Sequence, residues 1–342
     1  MRDIAAIRYE YLTEKHIDAI VEMWNRELGS RFPLSDRLVR QNSFGAAPLQ
    51  PGASWAAIAA QDGGEILIGF VAGKLSKADG DGEGGGGSIG LLLVDAAYRR
   101  QGIGSRLLAL AEDGLRRSGA GRIDFGGETR HYMPGLPEES EASGLGGWLE
   151  RRGYTPAEGG SVCDLFADFT GEPIEELPQC PGVEFRLLDP LAETEAFLCF
   201  LRREFSPRWA QSTEALLQAG GGSREFVLLW KDGGVEPIGF CRLNDEQSPL
   251  LAGSVYWHAL FPPGTGGGIG PLGVSASERG QGLGLAAVQA GIHFLRRRGR
   301  DRLVIDWTTH LDFYAKLGFA PWRWYTGYRK GDDAKTAILL QF

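Results

Sequence analysis

Two short glycine-rich stretches carry the residue types in this chain best suited to chemistry: Arg279-Gly-Gln-Gly-Leu-Gly284 and Arg99-Arg-Gln-Gly-Ile-Gly104. Each stands between an apolar run ending in valine (Val274, Val94) and a segment with apolar residues at helical spacing. After the second stretch these are Leu285, Val288, Ile292 and Leu295. The pattern predicts a strand, a bend and a helix in each place. A helix that opens at such a bend leaves its first backbone N–H groups without acceptors and turns its positive dipole end toward the bend. Glycine removes the Cβ that would hold an anion off the backbone, and it accepts positive φ. Arg279 and Arg99 add fixed charge with forked donors. A phosphate or diphosphate suits this chemistry. The candidate binding residues are Arg279, Gly280, Gln281, Gly282, Leu283 and Gly284, with Arg99, Gly102, Ile103 and Gly104 in the earlier copy.

A second set follows the later bend. Asp306 ends a predicted strand over 302–307, and His310 and Tyr314, four residues apart, fall on one face of a predicted short helix. An imidazole can take up or release a proton near neutral pH. A carboxyl and a phenol can exchange protons as well.

The elements that must position these groups occur twice. Val94 and Val274, Arg99 and Arg279, Gly102 and Gly282, and Gly104 and Gly284 are each separated by 180 positions (282 − 102 = 180). That is far longer than a solenoid unit, so the repeat implies two similar domains in tandem. A strand over 7–12, a helix over 14–28 capped by Thr13 and a hairpin over 54–73 precede the first bend. Glycine-rich 79–88 reads as a mobile loop, and 131–143 as a long loop holding His131 and Tyr132. A helix over 145–152 and a strand over 162–169 follow. The order restarts with a strand over 183–188, a helix over 193–204 and a hairpin over 226–243. Residues 254–260 read as an extra aromatic strand, and 337–342 as the closing strand. The proline-rich 171–182 is the expected linker between domains 1–170 and 183–342. Pro271 and Gly273 are odd inside a strand and favour a bulge or a splayed edge over 272–274.

With 43% hydrophobic and 23% charged residues, each half has ample core-forming material. A net charge of −8 argues against general nucleic-acid binding through the phosphate backbone. Cys163, Cys180, Cys199 and Cys241 show no metal-ligand or disulfide spacing and read as reduced, mostly structural thiols. No signal-peptide core and no run of 18 apolar residues is present, so a cytoplasmic protein without a membrane partner is expected. A dinucleotide-binding unit fits poorly, because G-x-G-x-x-G is absent from both bends.

The R-x-x-G-x-G bend between a strand and a helix, with a further strand some twenty residues on, resembles the acyl-coenzyme A signature of the GNAT superfamily of acetyltransferases. Phe313-Tyr-Ala-Lys-Leu-Gly-Phe319 is similar to that family's later helix, and the likeness covers nearly the whole chain, twice over. It implies an α/β fold of two tandem GNAT domains, each a mixed, mostly antiparallel sheet with a splayed central strand pair and flanking helices. It further implies acetyl-coenzyme A as co-substrate, no metal, and a small-molecule or peptide amine as acceptor, attacked directly in a ternary complex; a homodimer is allowed for. Leu272, Gly273 and Val274 would bond the pantetheine arm, with Val94 their counterpart, and Trp307 would lie beside it. Tyr314 takes the place of the tyrosine that protonates the departing thiolate. His310 and Asp306 remain alternative bases for the amine. Aligning Gly153-Tyr154 with Gly318-Phe319 puts Leu149 at the tyrosine position of the first half, which implies a catalytically degenerate domain there. Ser206–Trp209, Arg242–Asp245, Tyr256–His258 and Trp322–Tyr325 are candidate acceptor-lining residues. A non-catalytic acyl-coenzyme A sensor or scaffold is the alternative the sequence leaves open.

Overall fold

The computed structural model describes residues 7–61, 64–76, 85–127, 130, 132–138 and 144–331. In chain order the elements are β1 (Arg8–Tyr11), α1 (Ile17–Leu28), α2 (Asp36–Val39), β2 (Trp55–Gln61), β3 (Gly64–Ser76), β4 (Gly85–Val94), α3 (Ile103–Arg117), β5 (Ala120–Phe125), β6 (Leu136–Pro137), α4 (Leu145–Glu150) and β7 (Thr155–Pro156). They continue with β8 (Val162–Asp168), β9 (Val183–Leu187), α5 (Thr194–Glu204), α6 (Pro207–Gln218), β10 (Phe226–Lys231), β11 (Gly239–Asp245), β12 (Gly266–Val274), α7 (Leu283–Arg296), β13 (Arg302–Thr308), α8 (Leu311–Ala315), β14 (Ala320–Thr326) and β15 (Tyr328–Gly331).

The chain divides into two compact units, residues 1–162 with 323–341, and residues 163–322 with 342. This differs from the contiguous 1–170 and 183–342 that the repeat suggested. In the first unit the strand order is β1-β2-β3-β4-β5-β15-β7, and in the second β8-β13-β12-β11-β10-β9. Each sheet is antiparallel except at one central pair, β4 with β5 and β12 with β13, which runs parallel. The discrepancy lies in two strands. β8 pairs antiparallel with β13, from Arg302↔Asp168 to Thr308↔Cys163, and so belongs to the second unit. β15 pairs antiparallel with β5, Tyr328↔Phe125 to Gly331↔Arg122, and belongs to the first. Linear order hides this, because the alternation in β8, with Cys163, Leu165 and Ala167 buried, identifies a strand without naming its neighbour.

The expected linker is not free chain either. The buried Arg296 guanidinium donates to the carbonyls of Phe169 (2.9 Å), Glu172 (2.7 Å) and Pro173 (2.7 Å), tying its start to α7. Three carbonyls and the Asp301 carboxylate satisfy the fork of a buried cation, which would otherwise be costly.

In the first unit the apolar face of α3 (Leu107, Leu108, Ala111, Leu115) packs on Ile68, Val71, Ile89 and Ile123 of the sheet. In the second, Phe197, Phe200 and Leu201 of α5 and Ala210 and Leu216 of α6 close over Phe226, Leu228 and Phe240. Each such fully buried phenylalanine contributes about 2–3 kcal/mol. The helix α6 went unpredicted, although Ser206-Pro207 is a common cap-and-first-turn pair. Residues 254–260 form two 3-10 turns, Gly253–Val255 and His258–Leu260, rather than the expected strand. Gly85–Ser88, expected within a loop, begin β4. The expected closing strand at 337–342 lies outside the described residues, as do His131 and most of 79–88. No helix among the described residues is long and apolar enough to cross a membrane.

Candidate active site

In the second unit the bend is built as its glycines require. Gly280 (φ +79°) and Gly282 (φ +80°) sit in the left-handed region, and Gly282 is the N-cap of α7. That cap has no side chain, and a Cβ built there would meet nothing within 4 Å, so it is the left-handed backbone and not crowding that calls for glycine at this cap. Gly284 is covered by Phe313, whose ring lies 3.6 Å from where a Cβ would stand. The Arg279 Nε donates to the Val274 carbonyl at 3.2 Å, closing the turn between β12 and α7. The arginine thus ties the bend to the strand end and brings its charge to the helix mouth.

β12 and β13 diverge. Their parallel pairing covers only Gly266–Gly268 with Arg302–Val304, so Ile269–Val274 has β11 on one side and no described strand on the other. The expected splay at Leu272, Gly273 and Val274 is present, and those backbones line the opening. Gly273 has its own reason to lack a side chain, since Phe205 lies 2.5 Å from the position of a Cβ. Asn244, fully buried, donates to the Gly270 carbonyl at 3.1 Å where β12 turns away.

Across the opening β13 kinks. Its pairing with β8 is irregular between Ile305 and Thr308, and Trp307 has φ +48°, rare for a bulky residue. Holding that residue left-handed costs roughly 1–2 kcal/mol. The Trp307 N–H donates to Asp164 Oδ1 at 3.0 Å, and a hydrogen bond to a carboxylate is strong enough to offset most of that. The Arg208 guanidinium of α6 stands 6.0 Å above the indole of Trp307.

Asp306, beside the kink, is half-buried. Burial first, and the Asp164 charge second, push its carboxyl up to about 7; a backbone hydrogen bond and Arg242 pull the other way. A 3-10 turn presses on it from above: a Cβ at Gly253 would stand 2.2 Å from Asp306 Oδ2. Gly253→Ala is therefore expected to displace the carboxyl and shift the pH at which it titrates, read by carbon-13 NMR of labelled aspartates.

Tyr314, in α8, is 9% exposed, with Phe313 and Phe319 edge-on at 4.8 and 6.3 Å. Burial, then Cys241 and Asp306, raise its phenol above the usual range, so it is a proton donor at neutral pH. Asp306 thus acts electrostatically on Tyr314, and the structure brings these two together. His310 is exposed and precedes α8 rather than sharing its face; its backbone N–H bonds Thr308 Oγ1 at 3.0 Å. Of the acceptor-lining candidates, Arg242 and Asn244 lie on β11 beside this site, and Asp245 is drawn into ion pairs with Arg224 and Arg300. Arg323 and Tyr325 are residues of the first unit, where Arg323 stacks over Phe32.

The first unit keeps the bend without the phenol. Gly102 (φ +82°) caps α3, and Arg99 Nε donates to the Val94 carbonyl at 2.9 Å, matching Arg279. Arg100 (φ +63°) occupies the left-handed position that Gly280 fills in the other half. Leu149 is fully buried at the tyrosine position, and Tyr132 is buried with its hydroxyl 2.6 Å from Ser43 Oγ. One device repeats in both halves that sequence reading missed. Glu27 accepts the Ala96 N–H at 3.3 Å and Glu204 the Ala276 N–H at 3.2 Å, so a carboxylate at the end of α1 or α5 anchors each bend. Ala96 and Ala276 share the 180-residue offset, but Glu27 and Glu204 are 177 apart (204 − 27 = 177), so the register of the repeat hides the pairing. Asp164 was missed because its sequence lies in the other half. No cluster of His, Cys, Asp and Glu suited to a metal occurs among the described residues.

Comparison with known proteins agrees with this geometry. The profile of the acetyltransferase (GNAT) family matches residues 17–131 and 194–319, one stretch in each half. A mycothiol acetyltransferase of Thermobispora bispora is 31% identical over 258 residues, covering 70% of this chain and 75% of that protein. Its counterpart from Salinispora arenicola is 29% identical over 252 residues, 70% and 72% of the two chains. Among solved structures, a tandem GNAT protein from the clavulanic acid biosynthesis pathway superposes with a TM-score of 0.68 at 15% identity, over 97% of this chain and all of that one. A glucosamine N-acetyltransferase region of a fungal multi-domain β-N-acetylglucosaminidase gives a TM-score of 0.80 at 24% identity, over 95% of this chain and 38% of that longer protein. These two structural likenesses show the fold.

Proposed function

The chain belongs to the acetyltransferase (GNAT) family and is an acyltransferase, and from that premise we propose that its second unit moves an acetyl group from acetyl-coenzyme A to the amine of a small molecule. The observation that carries this reading is the fork of β12 and β13 beside a helix start built on left-handed glycines, with Asp306 on β13 and the buried Tyr314 of α8 near enough for their charges to interact. On this reading the N–H groups from Gly280 to Gly284 would take the coenzyme A diphosphate, and the β12 edge over Ile269–Val274 would take the pantetheine arm. Acetyl-coenzyme A supplies the activated acyl group. Asp306 takes a proton from the incoming ammonium; a carboxyl held at about 7 is half ionised at neutral pH, so it can accept that proton and release it between turnovers. β12 itself offers no ionisable side chain for the task, being Gly-Gly-Gly-Ile-Gly-Pro-Leu-Gly-Val. The amine attacks the thioester carbonyl directly, and the neutral Tyr314 phenol gives its proton to the departing sulfur. No covalent enzyme intermediate is needed.

The first unit, with Leu149 where a phenol is required, is the non-catalytic half. The acceptor of the mycothiol acetyltransferases is the first amine to try, on the strength of the relatives' name.

Coenzyme A at a hundred times its Kd should stabilise the protein by about 2.7 kcal/mol in thermal melts. Thiol release from acetyl-coenzyme A should appear with at least one member of a panel of small primary amines that includes that acceptor. A protein that coenzyme A does not protect, and that releases no thiol with any of them, would refute the assignment.

A further inference from the structure

Asp164 lies on β8, whose sequence closes the first half of the repeat, yet it stands 4% exposed against the kink of β13 in the second unit. Its Oδ1 accepts the Trp307 N–H, the amide that follows Asp306 directly. The acceptor fixes the left-handed turn at Trp307, and that turn sets the direction in which the Asp306 side chain leaves the strand. We propose that Asp164 is the positioning residue for the Asp306 carboxyl, holding the kink through its hydrogen bond and tuning the proton affinity of Asp306 through its charge. The inference rests on the reading of Asp306 as the base.

The two carboxyls have unequal surroundings, and that decides which of them holds the negative charge. Asp164 has a backbone donor, which favours its ionised form. Asp306 has burial and that neighbouring charge against it, partly relieved by Arg242 and by a backbone hydrogen bond. The groups facing Asp306 are Asp164 from β8, Arg242 from β11 and the Tyr314 phenol from α8. The turn above it, Gly253-Ser-Val255, brings no charge. Arg208 of α6 stands over the Trp307 ring, one residue away. Asp164 is therefore the only one of these groups that adds negative charge beside the base at neutral pH.

The test uses the full chain and the pH profile of kcat/KM for the amine. Asp164→Asn keeps an oxygen for the Trp307 N–H and removes the charge. The acid limb, with its midpoint near 7 in the parent, should move down by about one pH unit, with the rate at pH 8.5 within threefold. Asp164→Ala, which also removes the acceptor, should lose at least tenfold in kcat at every pH with coenzyme A affinity unchanged. Carbon-13 NMR of labelled aspartates, assigned with Asp306→Asn, should show Asp306 titrating near 7 in the unmodified protein and lower in Asp164→Asn. An inactive Asp306→Asn with an unmoved acid limb in Asp164→Asn, or an Asp306 titration unchanged by Asp164→Asn, would overturn this inference and leave Asp306 as the base. A fully active Asp306→Asn would remove the base and this inference together.

Discussion

Replacing Tyr314 by phenylalanine is expected to lower kcat by about 10²–10³-fold while leaving the dissociation constant of coenzyme A unchanged. The phenol is 9% exposed, and burial and the nearby Asp306 keep it protonated, so at neutral pH it has a proton to give. Phenylalanine keeps the ring and therefore the edge-on contacts with Phe313 and Phe319. Only the hydroxyl is lost. The diphosphate is expected to be held by backbone N–H groups at the start of α7, which the substitution does not touch. Were Tyr314 present only for packing, Tyr314→Phe would be nearly silent in kcat, and that result in a single-turnover assay would end its role as the acid.

Asp306→Asn should be more severe in rate and opposite in sign for stability. Without a proton acceptor, the amine enters as ammonium and kcat/KM should fall about 10³-fold at pH 7, with the acid limb near 7 abolished. The sign for stability follows from linkage. A carboxyl held near 7 in the fold but near 4 in the unfolded chain keeps its proton longer when folded, so stability falls as pH rises between those values. Above pH 7 the folded protein carries the full cost of the buried charge, about 2–4 kcal/mol. Asparagine escapes it. The variant should melt several degrees above the parent at pH 8, with the gap closing by pH 4, which scanning calorimetry at the two pH values would show. A variant no more stable than the parent at pH 8 would mean that Asp306 is not held proton-rich by its surroundings.

The parts of this site visible in the sequence were those encoded by local pattern. Each bend announces itself through glycines that the left-handed backbone at Gly102, Gly280 and Gly282 demands, and the repeat at a fixed offset confirms them. The splay near Leu272 could be read because proline and glycine fit a paired strand poorly. What escaped is what depends on neighbours far along the chain. The aromatic run Tyr256-Trp257 suggested a strand, but those buried residues link two 3-10 turns, and hydrophobicity alone does not distinguish the two. His310 and Asp306 looked equal as bases, since an i, i+4 spacing is silent about exposure. The structure leaves His310 at the surface and puts Asp306 under Gly253. Asp164 was invisible because the strand carrying it was counted with the wrong half.

That misplaced strand changes how the duplication should be understood. Each half lends one ribbon to the other, β8 in one direction and β15 in the reverse. Severing the chain at 171–182 would therefore not yield two self-contained copies. It would strip the later copy of the carboxylate that braces its base and leave both sheets with a gap. Neither copy of the repeat is a finished sheet until the other has supplied its missing ribbon.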